Sequence, residues 1–160
     1  MKVQKFGYEA IACLLTVALI TLLSAHFISG GWDYAFAGNV GMAFMLIFTA
    51  MGHFIYWKGM MMMVPGFIPA KKTMVYLSGI VEVILAIGLF IPSTRRLAAD
   101  LLILFFLLVL PANINAAQKS VDYQSATYEG RGITYLWLRI PMQIFFIFWA
   151  AYFGIILAEV

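Results

Sequence analysis

The sequence predicts an all-α protein, a polytopic bundle of about five transmembrane helices. Three observations lead there. Hydrophobic residues make up 64% of the 160-residue chain and charged residues only 11%, where soluble domains carry about 25% charged residues. Mean hydropathy is +0.98. Apolar runs long enough to cross a hydrocarbon core of about 30 Å recur along the chain, divided by short polar or Gly/Pro-containing segments. A soluble chain of this size cannot bury so much apolar surface. Lipid accommodates it, provided the backbone is satisfied within each helix.

The first span is the uncharged run Ala10–Ser29. Lys2 and Lys5 precede it, as in a signal peptide, but the run exceeds a usual signal core and no small-x-small cleavage site follows. It is read as a retained helix. Gly30-Gly31 and Trp32-Asp33 form the turn. The second span is Asn39–Trp57, closed by the interfacial pair Trp57-Lys58. Met60–Lys72 holds Pro65, Gly66 and Pro69 and reads as a shaped loop. The third span is Met74–Ile91, ended by Pro92, with Ser93–Arg96 as a tight basic turn. The fourth is Leu97–Ala117, followed by the polar stretch Gln118–Gly132. The fifth is Ile133–Leu157.

Basic residues set a direction. Lys2, Lys5, Lys58, Lys71, Lys72, Lys119 and Arg131 fall on one side, against Arg95 and Arg96 on the other. The positive-inside rule predicts a cytoplasmic N-terminus and an external C-terminus. No basic run exceeds two residues, so nothing supports nucleic-acid binding. Cys13 is the one cysteine, which excludes an internal disulfide, a CxxC pair and a cysteine metal site. It reads as small apolar packing.

Ionisable residues inside a span cost roughly 2.5–3.5 kcal/mol each on insertion scales, so those present are informative. They are His53, Glu82 and Arg139, joined by the amides Asn113 and Gln143. At about 1.5 Å rise per residue, all five fall in the half of the membrane next to the more basic loops. Arg139 and Gln143 share a helix face at i and i+4. Glu82 shares one with Gly79 and Ala86, whose small size permits close helix approach. His53 shares one with Thr49 and Leu46. Pro111 and Pro141 free the carbonyls of Leu107 and Trp137. One polar cluster open to the cytoplasmic side is expected, with Glu82 and Arg139 as charge partners. His53 and Glu82 are the candidate catalytic residues. Asn113, Arg139 and Gln143 are the candidate ligand-binding residues. The plainer alternative is that these groups staple helices together, or that Arg139 snorkels to the interface.

No metal site is expected. Consecutive residues of a helix point about 100° apart, so the four methionines Met60–Met63 cannot all converge on one ion; Met60 and Met63 could, with His53 nearby, but packing at the membrane surface is the simpler reading. Tyr56, Trp57, Tyr76, Tyr135 and Trp137 read as an interfacial belt. An aromatic wall for a flat ligand is the alternative.

Gly52-His53-Phe54, Val64-Pro65 with Ile68-Pro69, Gly79-x-x-Glu82, Gly88-Leu89 with Pro92 and Arg95-Arg96, Pro111-Ala112-Asn113 and Arg139-x-x-x-Gln143 occur in that order. The set resembles the DoxX-like family of small bacterial integral membrane proteins, from about Ala35 to Phe153. The resemblance implies a four-helix core, here about residues 35–157, with an added N-terminal helix at about 8–29, all within one membrane domain. It also implies a bacterial inner membrane and a redox-associated setting, with a membrane redox partner or a second copy as partners besides the bilayer. The leading expectation is a protein that binds a small lipophilic molecule, such as a quinone, isoprenoid or lipid, in the polar cavity. The alternatives are an intramembrane acid–base enzyme using Glu82 and His53, then a transporter, then a structural scaffold.

Overall fold

The computed structural model describes residues 6–157, with side chains from Tyr8 onward. Five of its helices are long and apolar enough to cross a membrane. In chain order they are α1 (Phe6–Ser29), α2 (Tyr34–Ile55), the short α3 (Trp57–Met63), α4 (Lys71–Phe90), α5 (Pro92–Gln118) and α6 (Leu136–Ala151). A 3-10 turn, Gly132–Tyr135, leads into α6, and a π-helical segment, Tyr152–Ile156, continues it. The protein is an all-α multi-pass membrane protein.

Helix α2 is the hub. It packs against α1 on one side and α4 on the other; α4 packs on α5 and α5 on α6, and the π-helical segment returns to touch α2 and α5. Small residues allow these approaches. A Cβ on Gly41 would lie 2.7 Å from the Leu14 carbonyl of α1, and one on Gly88 would lie 2.8 Å from Ala98 Cβ of α5. The core between the helices is built from residues such as Leu14, Met42, Leu46, Leu89, Leu102 and Phe146. Helix α1 buries little beyond Ala10 and Leu14 and presents Leu15, Leu19, Ile20 and Leu23 outward, as a peripheral helix in lipid does.

Three boundaries differ from the sequence reading. The Ser93–Arg96 turn is instead the first turn of α5, because Pro92 sits at the start of that helix, where its missing N–H costs nothing. Thr94 Oγ1 then donates to the Gly88 carbonyl at 2.9 Å and Arg95 Nε to the Leu89 carbonyl at 3.2 Å, satisfying the end of α4. The segment read as beginning the shaped loop, Met60–Met63, is the body of α3. Finally, Asn39 does not open the second span. Asp33 caps α2 by accepting from the Phe36 N–H at 2.8 Å, so Asn39 lies more than a turn inside the helix.

The connection after α5 is folded. Val121 N–H returns to the Ala116 carbonyl, Gly130 N–H to the Ser120 carbonyl, and Asp122 and Thr127 form an antiparallel bridge. Val121 and Tyr123 are buried. A second small core joins Ala116, Ala117, Val121 and Tyr135 to Met62, Met63 and Leu136. Two of the clustered methionines thus serve as packing. Gly59 seats this connection on α3, since any Cβ there would lie 2.0 Å from the Tyr123 carbonyl oxygen. For brevity, the end of the bundle carrying α3 and residues 119–131 is called the basic end.

Candidate functional site: two polar clusters near the basic end

The first cluster lies between α2 and α4. Gly79 creates it: a Cβ there would sit 2.8 Å from His53 Cβ, so only glycine lets the two backbones approach closely enough. One turn further along α4, Glu82 Oε1 lies 3.6 Å from His53 Nε2, with side-chain exposures of 16% for His53 and 8% for Glu82. Thr49 Oγ1 is 3.2 Å from Glu82 Oε2. The other imidazole nitrogen, Nδ1, is 2.9 Å from Ser78 Oγ and 3.1 Å from the Val75 carbonyl.

The Val75 carbonyl can only accept, and Ser78 Oγ lies 2.8 Å from it. In the tautomer in which Nδ1 donates to that carbonyl, the Nε2 lone pair faces Glu82 in the neutral ring. A carboxylate oxygen opposite a lone pair is attractive only if one proton lies on either partner. Thr49 adds freedom on the far side of the carboxyl. Its single hydroxyl hydrogen can go to Glu82, to Met45 O at 3.1 Å or to Leu46 O at 3.0 Å. When it turns to a backbone carbonyl, its oxygen can accept from a protonated Glu82.

The second cluster surrounds Arg139. Its Nη2 donates to the Tyr123 hydroxyl at 3.2 Å. The guanidinium carbon lies 5.5 Å from the Tyr123 ring centroid and 5.1 Å from that of Tyr135, within cation–π range of both. The Tyr135 hydroxyl donates to Asn113 Oδ1 at 3.4 Å. Tyr123 meets Tyr56, just past the end of α2, edge to face at 6.0 Å, so the clusters approach through two tyrosines. Burial pushes the Tyr123 phenol up to about 12, and the nearby Arg139 charge offsets this only in part.

All five predicted residues are placed, but not as one set. Glu82 and His53 meet each other, while Arg139 and Asn113 meet tyrosines. The expected Glu82–Arg139 pair does not form: the ion pair of Glu82 is with His53, and among the described residues no carboxylate lies within 4 Å of Arg139. Gln143 reaches α5, where its Nε2 donates to the Phe106 carbonyl, one residue before the carbonyl freed by Pro111. Its Oε1 is buried with no partner.

Of the residues read as a belt, Trp137 is 81% exposed and Trp57 takes Lys72 over its ring at 4.8 Å. The belt reading does not hold for Tyr135, which is buried beneath Arg139. A shallow groove of about 470 Å³, lined by Glu9, Ala12, Cys13, Thr16, Val17 and Phe48, runs along α1 and includes none of the five residues.

Three contributors escaped the sequence reading. Ser78 lies one turn before Glu82 on the same face, and that i−4 spacing could have found it. Tyr123 lies in a stretch without periodicity and gave no signal. Asn39, on the His53 face, is buried in the half of α2 away from the basic end. The heptad Asn39–Leu46–His53 could have revealed it. Both amide hydrogens of Asn39 are used, donating at 2.7 Å to Ala35 O and at 2.7 Å to Phe153 O in the π-helical segment.

These features define a class: a polytopic helical membrane protein with an acid–imidazole pair and a separate tyrosine-flanked arginine buried toward one end. Within it, the chain belongs to the family described as Domain of unknown function (DUF8561), whose match spans residues 42–154, from the middle of α2 to the end of the bundle. Helix α1 lies outside the match. No curated protein and no solved structure is significantly similar to the chain.

Proposed function

We propose that this is a bacterial inner-membrane protein that holds the polar head of a small lipophilic molecule, a quinone, isoprenoid or lipid, at the His53–Glu82 seam, with the basic end in the cytoplasm. The single observation that carries this reading is the pairing of an imidazole and a carboxyl at 3.6 Å inside a membrane span, anchored by Ser78 and Thr49. A group that can both accept and donate a proton suits a carbonyl or hydroxyl head. The more exposed partner, His53, would meet it first. The basic loops support the orientation, and the resemblance of the ordered motifs to DoxX-like proteins supports a redox-associated setting.

Native mass spectrometry of the full chain, released from membranes in mild detergent, tests the reading. A lipophile is expected on the wild type and is expected to be depleted on Glu82→Gln and His53→Phe. Equal occupancy in all three, or none in any, would refute it. The 3.6 Å contact also favours a second reading, an acid–base enzyme acting on that molecule. Incubation in deuterated water separates the two. Deuterium at a carbon beside a carbonyl or double bond marks proton abstraction, and an unlabelled ligand marks binding alone.

A further inference from the structure

Arg139 poses a problem of charge balance. A guanidinium keeps its charge in a protein, and a cation within a membrane span is costly unless paired. Its neighbours Tyr123 and Tyr135 supply rings and hydroxyls, but no negative charge. Tyr123 cannot act as a phenolate counter-ion near neutral pH, because burial holds its proton on to about 12. Glu82 is engaged with His53. Asp122, next to Tyr123 in sequence, turns its carboxylate into its own loop, accepting from Gln124 N–H at 3.0 Å and Ser125 Oγ at 2.7 Å. Snorkelling out to water would relieve the cation, yet the side chain is instead directed to the two tyrosines.

The surroundings favour an anion. Lys58, Lys71, Lys72, Lys119 and Arg131 all belong to the same end of the bundle, and their summed field raises the local concentration of negative groups. The depth also fits. Trp137, highly exposed, marks the interfacial level where headgroups lie. Arg139 follows it by two residues, about 3 Å of helix rise. A planar fork of N–H donors matches the paired oxygens of an oxyanion.

We propose that Arg139, with Tyr123 and Tyr135, forms a binding site for a phosphate-type oxyanion, separate from the His53–Glu82 seam. The anion supplies a charge that no described residue beside Arg139 provides; the remaining guanidinium N–H groups bind its oxygens, and Tyr123 and Tyr135 hold the guanidinium in place. The oxyanion comes either from a phospholipid headgroup or from a soluble phosphate.

The test uses the full chain in nanodiscs and in neutral detergent. Native mass spectrometry compares retention of phosphatidylglycerol with that of phosphatidylcholine, and thermal unfolding follows added inorganic phosphate against chloride at equal ionic strength. Charge-assisted hydrogen bonds of roughly 1.5–3 kcal/mol predict at least a tenfold preference for the anionic ligand. Retention of phosphatidylglycerol alone identifies a headgroup site; stabilisation by inorganic phosphate identifies a soluble oxyanion; either supports the site. Arg139→Gln is expected to abolish the preference, and Arg96→Gln, exposed near the start of α5 at the opposite end of the bundle, to leave it unchanged. Should Arg139→Gln fail to fold, Arg139→Lys and Tyr123→Phe replace it; each is expected to weaken the preference several-fold. A wild type without preference, or variants at positions 139 and 123 with the wild-type preference, would overturn the proposal.

Discussion

Removing either member of the His53–Glu82 pair should have unequal consequences, and the inequality follows from what each partner retains. Consider His53→Leu first. Glu82, with 8% side-chain exposure, is left with Thr49 as its polar contact. Breaking a buried pair from one side costs about 3–5 kcal/mol. Now consider Glu82→Gln. His53 keeps Ser78 and the Val75 carbonyl at Nδ1. The new amide can donate to the Nε2 lone pair, and removing a carboxyl from the span returns part of an insertion cost of roughly 2.5–3.5 kcal/mol. The expected net effect is between zero and about 1 kcal/mol of stabilisation, since the gained and lost terms nearly cancel. The double variant no longer strands a carboxyl, so it should recover about 2 kcal/mol relative to His53→Leu alone. Reversible unfolding in mixed micelles, titrated with sodium dodecyl sulfate, measures all four corners of the cycle. If Glu82→Gln costs as much as His53→Leu, or the two effects simply add, the pair is not coupled.

Three further outcomes are expected. Gly79→Val places a side chain 2.8 Å from His53 Cβ and should cost about 1–3 kcal/mol by overpacking, with loss of whatever ligand co-purifies with the wild type; unchanged stability would show that α2 and α4 are not so closely apposed. Gly59→Ala forces a methyl to within 2.0 Å of the Tyr123 carbonyl, so the folded connection must lift from α3, and faster trypsin cleavage after Lys119 and Arg131 is the readout. Tyr123, raised in the fold from an ordinary 10.0 to about 12, contributes stability in full below pH 10 and loses it as pH rises towards 12, because the folded chain holds the proton that the unfolded chain releases. Absorbance at about 295 nm, compared with Tyr123→Phe, should show this phenol ionising among the last.

Much of the α2–α4 seam could be read from spacing. Gly79, Glu82 and Ala86 lie on one face of a helix, as do Leu46, Thr49 and His53, and both stripes turn inward as periodicity requires. The pairing within the seam was less legible. Opposite charge alone joined Glu82 to Arg139, whereas their helices, α4 and α6, are not neighbours; α5 lies between them in the order of packing. Periodicity identifies a face but not the helix it meets. The partner of Arg139 was invisible for another reason. Tyr123 lies in a polar connection held by Asp122, Gly59 and Gly130, contacts that no local pattern announces.

The polar groups of the bundle are satisfied in contrasting ways. Away from the basic end, Asn39 spends both amide hydrogens on carbonyls, and the Trp149 indole N–H donates to the Gly38 carbonyl at 2.9 Å. These bonds tie the π-helical segment to α2, and neither donor has a hydrogen left for a ligand. Such saturated contacts act as structure. Nearer the basic end a carboxyl faces an imidazole, among the described residues no carboxylate lies within 4 Å of Arg139, and Gln143 holds a buried oxygen without a donor; His26 Nδ1, near the far end of α1, is likewise buried without a partner. Leaving donors, acceptors and charge unmet inside a membrane is unfavourable for a scaffold, because apolar residues of the same size would pack as well without the cost. The two charged clusters, His53–Glu82 and Arg139, both lie toward one end, and this supports the binding proposed there.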